Sequence, residues 1–142
     1  MKIGVSACLI GMNTKYNGGN NYSSKLEKLL KAYDVVPVCP EVLGGLPIPR
    51  NPAEIVDGEV LTRYGRSVDD EFRKGASRAI DILKAEDVDF VILQSRSPSC
   101  GVGKIYDGSF TGRLTDGDGI FVRLLKEEGI KAIDVEEFIN IW

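Results

Sequence analysis

The stretch SVDDEFRKGASRAIDILKAEDVDFVIL, residues 67–93, decides the fold class. Its first part carries apolar residues at helical spacing, which predicts a long helix from a cap at 67–70 to about residue 85. Its last four residues, FVIL, predict a short strand that is buried on both faces. A helix that leads directly into a wholly apolar strand is typical of a crossover in a parallel α/β sheet. The apolar stripe of the helix consists of Phe72, Ala76, Ala79, Ile80 and Leu83.

The flanking sequence repeats this alternation of strands and helices. Ser24 and Asp118 stand where N-caps are expected, so we predict a helix from each, ending near residues 32 and 128. Four prolines between residues 40 and 52 exclude a regular helix there. Further strands are predicted at 2–7, 35–38, 59–62 and 130–133, a small hairpin or omega loop at 106–114, and a closing helical turn at 136–141.

These elements predict the α/β fold class. We expect a single domain over residues 1–142, whose mostly parallel sheet is covered by helices on both faces in a Rossmann-like three-layer arrangement. A length of 142 residues fits one domain of ordinary size.

Composition and charge exclude several classes of function. The chain contains no histidine, so a Ser-His-Asp triad, a Cys-His dyad and an imidazole proton shuttle are impossible. The net charge of −3 argues against binding of a nucleic-acid polymer, which usually requires a basic excess. Because there is no long apolar stretch and no signal-peptide pattern, we expect a cytoplasmic protein that does not interact with membranes.

Three cysteines occupy equivalent places in the predicted fold. Cys8 follows the first strand, Cys39 follows the second, and Cys100 lies in the loop after the strand at 90–93. Ligands of open parallel sheets bind beyond the carboxyl ends of the strands, so we expect the three thiols at one edge of the molecule. A free cysteine is commonly just a small buried apolar residue, but three cysteines after three strands make this alternative less attractive.

The type of metal follows from the same three residues. Structural zinc usually has four protein ligands with CxxC spacing, which this chain lacks. Three thiolates and an open fourth position fit a [4Fe-4S] cluster with one iron that the protein does not bind, while a site of reactive thiols remains an alternative.

Four segments resemble the thiouracil desulfidase (desulfurase) family. They are VSACLIG…YNGG from residue 5, VPVCPEVLGGLPIPRNPAEIV at 36–56, LQSRSPSCGVGKIYDGSFTG at 93–112 and DGDGI at 116–120. The resemblance implies a [4Fe-4S] cluster held by Cys8, Cys39 and Cys100. It also implies that the open iron takes sulfur from a thiolated pyrimidine, and that water supplies the replacing oxygen.

The resemblance also implies two catalytic residues. A glutamate and a serine near the cluster act in the family, and the matching positions here are Glu41 and Ser97. Because the chain has no histidine, Glu41 is the candidate for moving the proton of the attacking water. The alternatives are a loop carboxylate that caps backbone amides and, for Ser97, ordinary Ser-Pro turn chemistry that Ser95 and Ser99 share.

Basic residues near these segments are candidates for substrate binding. If the substrate is a thiolated nucleotide rather than a free base, one or two of them should hold its phosphate. The alternative for each is a solvated surface side chain. The candidates are Arg50, Arg96, Lys104 and Arg113.

Two functions from other classes compete with a desulfidase. The same three thiols would suit an iron–sulfur or redox-sensing module without enzymatic activity. A nucleotide-binding α/β domain with incidental cysteines is the other alternative.

Overall fold

A computed structural model describes residues 1–141 of the chain, so the last residue of the predicted domain, 142, lies outside the described residues. The strands of the central sheet are β1 (Lys2–Ser6), β2 (Asp34–Val38), β5 (Val91–Leu93) and β8 (Ala132–Asp134). All four run parallel, in the order β2-β1-β5-β8. Two antiparallel hairpins lie outside the sheet, formed by β3 (Ala53–Val56) with β4 (Glu59–Thr62) and by β6 (Lys104–Tyr106) with β7 (Leu114–Asp116).

Helices connect these strands. They are a 3-10 helix (Ala7–Ile10), α1 (Ser24–Leu30), α2 (Pro40–Leu43), α3 (Asp69–Ala85), α4 (Ile120–Glu127) and α5 (Val135–Ile141). The predicted strands and the hairpin at 106–114 are confirmed to within a few residues, and the hairpin of β3 and β4 adds a partner for the strand predicted at 59–62.

Each face of the sheet carries its own hydrophobic core. In β5, Val91 and Leu93 pack with α3 and α4, whereas Ile92 between them packs with α1 and α5 on the other face. This alternation follows from the two-residue period of a strand, and it explains why FVIL is apolar throughout. The α/β fold class, with a parallel sheet flanked by helices, is therefore confirmed.

The strand order determines where a ligand can bind. From β1 the chain moves to β2 on one side of the sheet and later to β5 on the other side. Such a reversal opens a crevice at the carboxyl ends of the strands, which is the usual binding site of doubly wound folds. The loops that follow β1, β2 and β5 therefore meet at one edge.

The proline-rich segment differs from the prediction. Regular helix was excluded there, but Pro40–Leu43 forms the short helix α2, with Pro40 in its first turn. Proline is favoured at that position because a backbone N–H there would have no hydrogen-bond partner within the helix, so its absence costs nothing. A side chain at Gly44 would lie 2.0 Å from the Glu71 carbonyl oxygen, and one at Gly75 would lie 1.7 Å from that of Pro40. These two glycines therefore let α2 pack directly on α3.

None of the three predicted N-caps is the N-cap in the structure, although each lies next to the residue that is. Helix α1 is capped by the Ser23 hydroxyl, which accepts from the Leu26 amide, rather than by Ser24. The N-cap of α3 is Val68, and that of α4 is Gly119, neither with a side-chain cap. The Asp118 carboxylate instead accepts from the Gly103 amide and from Lys126. Several polar residues precede each helix, and spacing alone does not distinguish which one turns inward.

Candidate active site

A cavity of about 510 Å³ lies at the carboxyl edge of the sheet, and all three cysteines line it. Cys8 sits in the 3-10 helix after β1, Cys39 is the N-cap of α2 after β2, and Cys100 lies in the loop after β5. The strands concerned are neighbours in the sheet, in the order β2-β1-β5. Residues that are 31 and 61 positions apart in the sequence are thus brought to one cavity by the parallel topology.

The three thiols are free and partly or fully buried. Burial raises the pKa of Cys8 and that of Cys39, and it raises the pKa of Cys100 to about 12. All three thiols line the same cavity. Without a cation in the cavity these thiols stay protonated near neutral pH.

The donor set fits an iron–sulfur cluster better than a single metal ion. Among residues 1–141, no three side chains of the His, Cys, Asp or Glu type are placed to hold one ion. In a cluster of four irons each cysteine binds a different iron, so the sulfur atoms stand farther apart than the ligands of one ion. Three cysteines and no histidine would leave one iron without a protein ligand.

Glu41 lies at the wall of this cavity and is held by an arginine. Arg50 donates from Nε to Glu41 Oε1 over 3.1 Å, and its side chain is only 7% exposed. The same guanidinium donates to the carbonyl oxygen of Thr14 over 2.8 Å and to that of Pro47. Arg50, a predicted substrate-binding residue, lines the cavity and donates hydrogen bonds to the Glu41 carboxylate and to two loop carbonyl oxygens.

Ser97 reaches Glu41 through a second serine. The Ser97 hydroxyl oxygen accepts from the Cys100 amide over 2.7 Å and lies 3.3 Å from Ser99 Oγ. The Ser99 hydroxyl donates to Glu41 Oε2 over 2.8 Å. Because a hydroxyl has one proton, the proton between the two serines comes from Ser97. The bonds form a directed chain from Cys100 N–H through Ser97 and Ser99 to the carboxylate.

Sequence reasoning did not single out Ser99, although it noted the residue beside Ser97. Ser99 is 2% exposed, and its hydroxyl also lies 3.5 Å from Cys100 Sγ. The spacing of the SPSCG segment could not reveal which serine faces Glu41, since that residue comes from a distant part of the chain.

The predicted cationic residues divide into two groups. Arg50 and Arg96 line the cavity, and Arg96 also lies 3.7 Å from a carboxylate oxygen of Glu136. Lys104 lies outside the lining and pairs with Asp116 across the β6–β7 hairpin, and Arg113 is exposed at the end of the same hairpin. Two cationic residues that sequence reasoning missed, Lys15 and Arg63, line the cavity instead.

A family model and two individual proteins match this chain over most of its length. A model of the family described as 2-thiouracil desulfurase matches residues 3–137. The chain belongs to the 2-thiouracil desulfurase family. The family resemblance of the sequence motifs is thereby confirmed, and so is the expectation of an enzyme that acts on C–S bonds.

Two individual relatives of this 2-thiouracil desulfurase family member cover nearly its whole length. The uncharacterized protein YbbK of Bacillus subtilis (strain 168) is 37% identical over 147 residues, which span 96% of this chain and 97% of YbbK. The solved structure of the [4Fe-4S]-dependent thiouracil desulfidase TudS superimposes with a TM-score of 0.88 at 40% identity, and covers 95% of this chain and 91% of that one. In residues 1–141, no helix has the length and apolar character needed to span a membrane.

Proposed function

We propose that this protein is an iron–sulfur-dependent desulfidase that converts the C=S group of a thiolated pyrimidine base or nucleotide into C=O, with water as the second substrate and hydrogen sulfide as the second product. The observation that carries the proposal is the convergence of Cys8, Cys39 and Cys100 on one cavity that also holds Glu41. The family and the [4Fe-4S] dependence of TudS support the same reaction.

Cys8, Cys39 and Cys100 would hold the cluster, one iron to each thiolate. When bound, the cluster would supply a soft Lewis acid that polarises the C=S bond of the substrate. The buried thiols would release their protons on binding, since only thiolates ligate iron.

Glu41 would take the proton of the attacking water. Its two oxygens are oriented by Arg50 and Ser99, so the carboxylate is fixed before the substrate arrives. Ser97, two hydrogen bonds from Glu41, stands next to the Cys100 backbone and orients the hydroxyl chain. The carboxylate can accept a proton in the addition step and return it to the departing sulfur.

Cationic side chains would hold an anionic part of the substrate. Arg50 is engaged by Glu41, and therefore Arg96, Lys15 and Arg63 are the cavity residues that can meet a phosphate. A nucleotide substrate would use them, whereas a free base would not.

Anaerobic reconstitution tests the proposal. We expect the wild-type protein to take up about four irons per chain, to turn brown, and to release sulfide from thiouracil or thio-UMP. The Cys100→Ala variant should stay folded by circular dichroism and lose both properties. Iron uptake without sulfide release from any thiolated pyrimidine would favour the iron–sulfur module without enzymatic activity. Full iron uptake by Cys100→Ala would contradict the ligand set.

A further inference from the structure

The loop between β6 and β7 places an aromatic residue in the wall of the cavity, and the backbone of this residue has an uncommon conformation. Phe110 lines the cavity together with Tyr106, and its backbone adopts a φ of 58°. A left-handed conformation is uncommon for a bulky residue and is kept only where the surroundings hold it. Phe110 is a member of neither hydrophobic core, so filling the protein interior does not explain its place.

Glu54 holds this conformation. It is a β3 residue, 9% exposed, and its Oε1 accepts from the Gly108 amide over 2.9 Å and from the Phe110 amide over 3.2 Å. A buried carboxylate that binds two amides of one loop fixes the backbone of that loop.

Two further features tighten the loop against β3. Gly108 has a φ of 92°, and a side chain there would lie 2.7 Å from the Ile55 carbonyl oxygen, so only glycine fits. The Asp107 amide donates to the Arg113 carbonyl oxygen over 2.9 Å and closes the loop on itself. The loop is therefore anchored to the scaffold on one side and borders the cavity on the other.

We infer that Phe110 is the stacking face for the planar heterocycle, and that Glu54 is the positioning residue that keeps it there; this inference rests on the proposed function and names a substrate-positioning element of the same site. A thiolated pyrimidine has a π-face that every aromatic ring can stack on, whatever the substituent that reacts. Stacking fixes the plane of the ring, so the C=S bond is confined to that plane within the cavity that the cysteines also line.

The experiment measures kcat and KM of sulfide release by the reconstituted protein, together with the dissociation constant of uracil by calorimetry. Phe110→Leu keeps an apolar side chain but removes the π-face, so we expect KM and the uracil dissociation constant to rise about tenfold, the usual range for loss of one stacked base. Phe110→Trp keeps a π-face, so its KM and uracil dissociation constant should lie below those of Phe110→Leu. Tyr64→Leu is the matched control, because Tyr64 is 78% exposed and lies outside the cavity lining.

Glu54 variants separate positioning from general loss of structure. Both loop amides bind one oxygen, so the amide oxygen of Glu54→Gln can accept both bonds and should rescue KM. Glu54→Ala should raise KM as Phe110→Leu does. A merely structural role would lower the melting temperature of Glu54→Ala and leave the KM of its folded fraction unchanged, which would overturn the positioning role.

The outcomes for the two proposals are distinct. A wild-type protein that binds iron but releases no sulfide overturns the proposed function. A wild-type protein that turns over, with unchanged KM and uracil affinity in Phe110→Leu, overturns the stacking role alone.

Discussion

The buried side chains of helix α3 and those that line the cavity are of different kinds. The face of α3 buries apolar or small residues only: Phe72, Gly75, Ala76, Ala79, Ile80 and Leu83. In the described part of the chain, five polar or charged residues are buried, and four of them line the cavity: Ser6, Glu54, Ser95 and Ser99.

Apolar and polar side chains contribute differently to the free energy of folding when they are buried. Burial of an apolar face on α3 stabilises the folded state in proportion to its area. Burial of a hydroxyl or carboxylate costs free energy unless it is hydrogen-bonded, and each of the four has such a bond. The buried polar groups of the described residues are thus concentrated at the cavity, where hydrogen bonds offset the cost of burying them.

The largest effect is expected from Glu41→Gln. The substitution keeps the shape of the side chain and removes its capacity to take a proton, so sulfide release should fall about 10²–10⁴-fold while iron content stays at the wild-type level. Turnover and iron content are measured on the same reconstituted sample. Glu127→Gln, on the exposed side of α4, is the matched control. Full turnover in Glu41→Gln would remove the acid–base role.

The opposite pattern is expected from Leu83→Ala on α3. Leu83 is fully buried, and its truncation should lower the free energy of unfolding by about 2–5 kcal/mol, because apolar contacts are lost and a cavity remains. The kcat of the folded fraction should not change. Urea denaturation and sulfide release measure the two quantities.

A second substitution tests whether the loss arises from that cavity. A methyl group at Gly4 would stand 2.6 Å from Leu83 Cδ2 and 3.2 and 3.3 Å from the Val91 methyl carbons. In the Leu83→Ala background the closest of these contacts is gone, so Gly4→Ala should recover part of the stability once Val91 shifts by a few tenths of an ångström. No recovery would mean that the added methyl group does not fit into the space that Leu83 leaves.

A smaller effect with a pH signature is expected from Asp69→Asn at the start of α3. Burial by itself raises the pKa of Asp69. The hydrogen bonds from Arg73 and from the Val60 amide lower the pKa by more than burial raises it, so the pKa of Asp69 lies below the usual 3.8. The stabilisation from the ionised form is present above pH 3.8 and is lost as the pH falls through the lowered value. We expect Asp69→Asn to lose about 1 kcal/mol at pH 7 and to match wild type near pH 2, by urea denaturation. A loss that does not change with pH would contradict the charge effect.

The smallest effect is expected from Lys104→Ala. The sequence predicts a substrate-binding residue, but its side chain is 61% exposed and pairs with Asp116 outside the cavity. KM should stay within about twofold of wild type, and stability should change by less than about 1 kcal/mol, as for other exposed ion pairs. In contrast, Arg96→Ala should raise the KM of a thiolated nucleotide. A large rise of KM in Lys104→Ala would restore the prediction from sequence.

Periodicity and capping patterns predict some features better than others. The run FVIL at 90–93 predicts β5 because a strand covered on both faces must be apolar throughout. The same kind of local rule failed at Pro40, since proline excludes a helix interior but suits a first turn. Ser24, Ser67 and Asp118 were wrong as caps because several polar side chains compete at each helix start.

The sequence by itself determined the alternation of strands and helices, the absence of histidine, and the position of each cysteine after a strand. These are local or compositional properties that need no knowledge of distant partners. The tertiary structure alone decided that Ser99 and Arg50 hydrogen-bond to Glu41 and that Glu54 binds the Phe110 amide. It also decided that Lys15 and Arg63 line the cavity, whereas Lys104 and Arg113 lie outside its lining. These contacts join residues from separate loops, and only the order of the strands in the sheet fixes which loops meet.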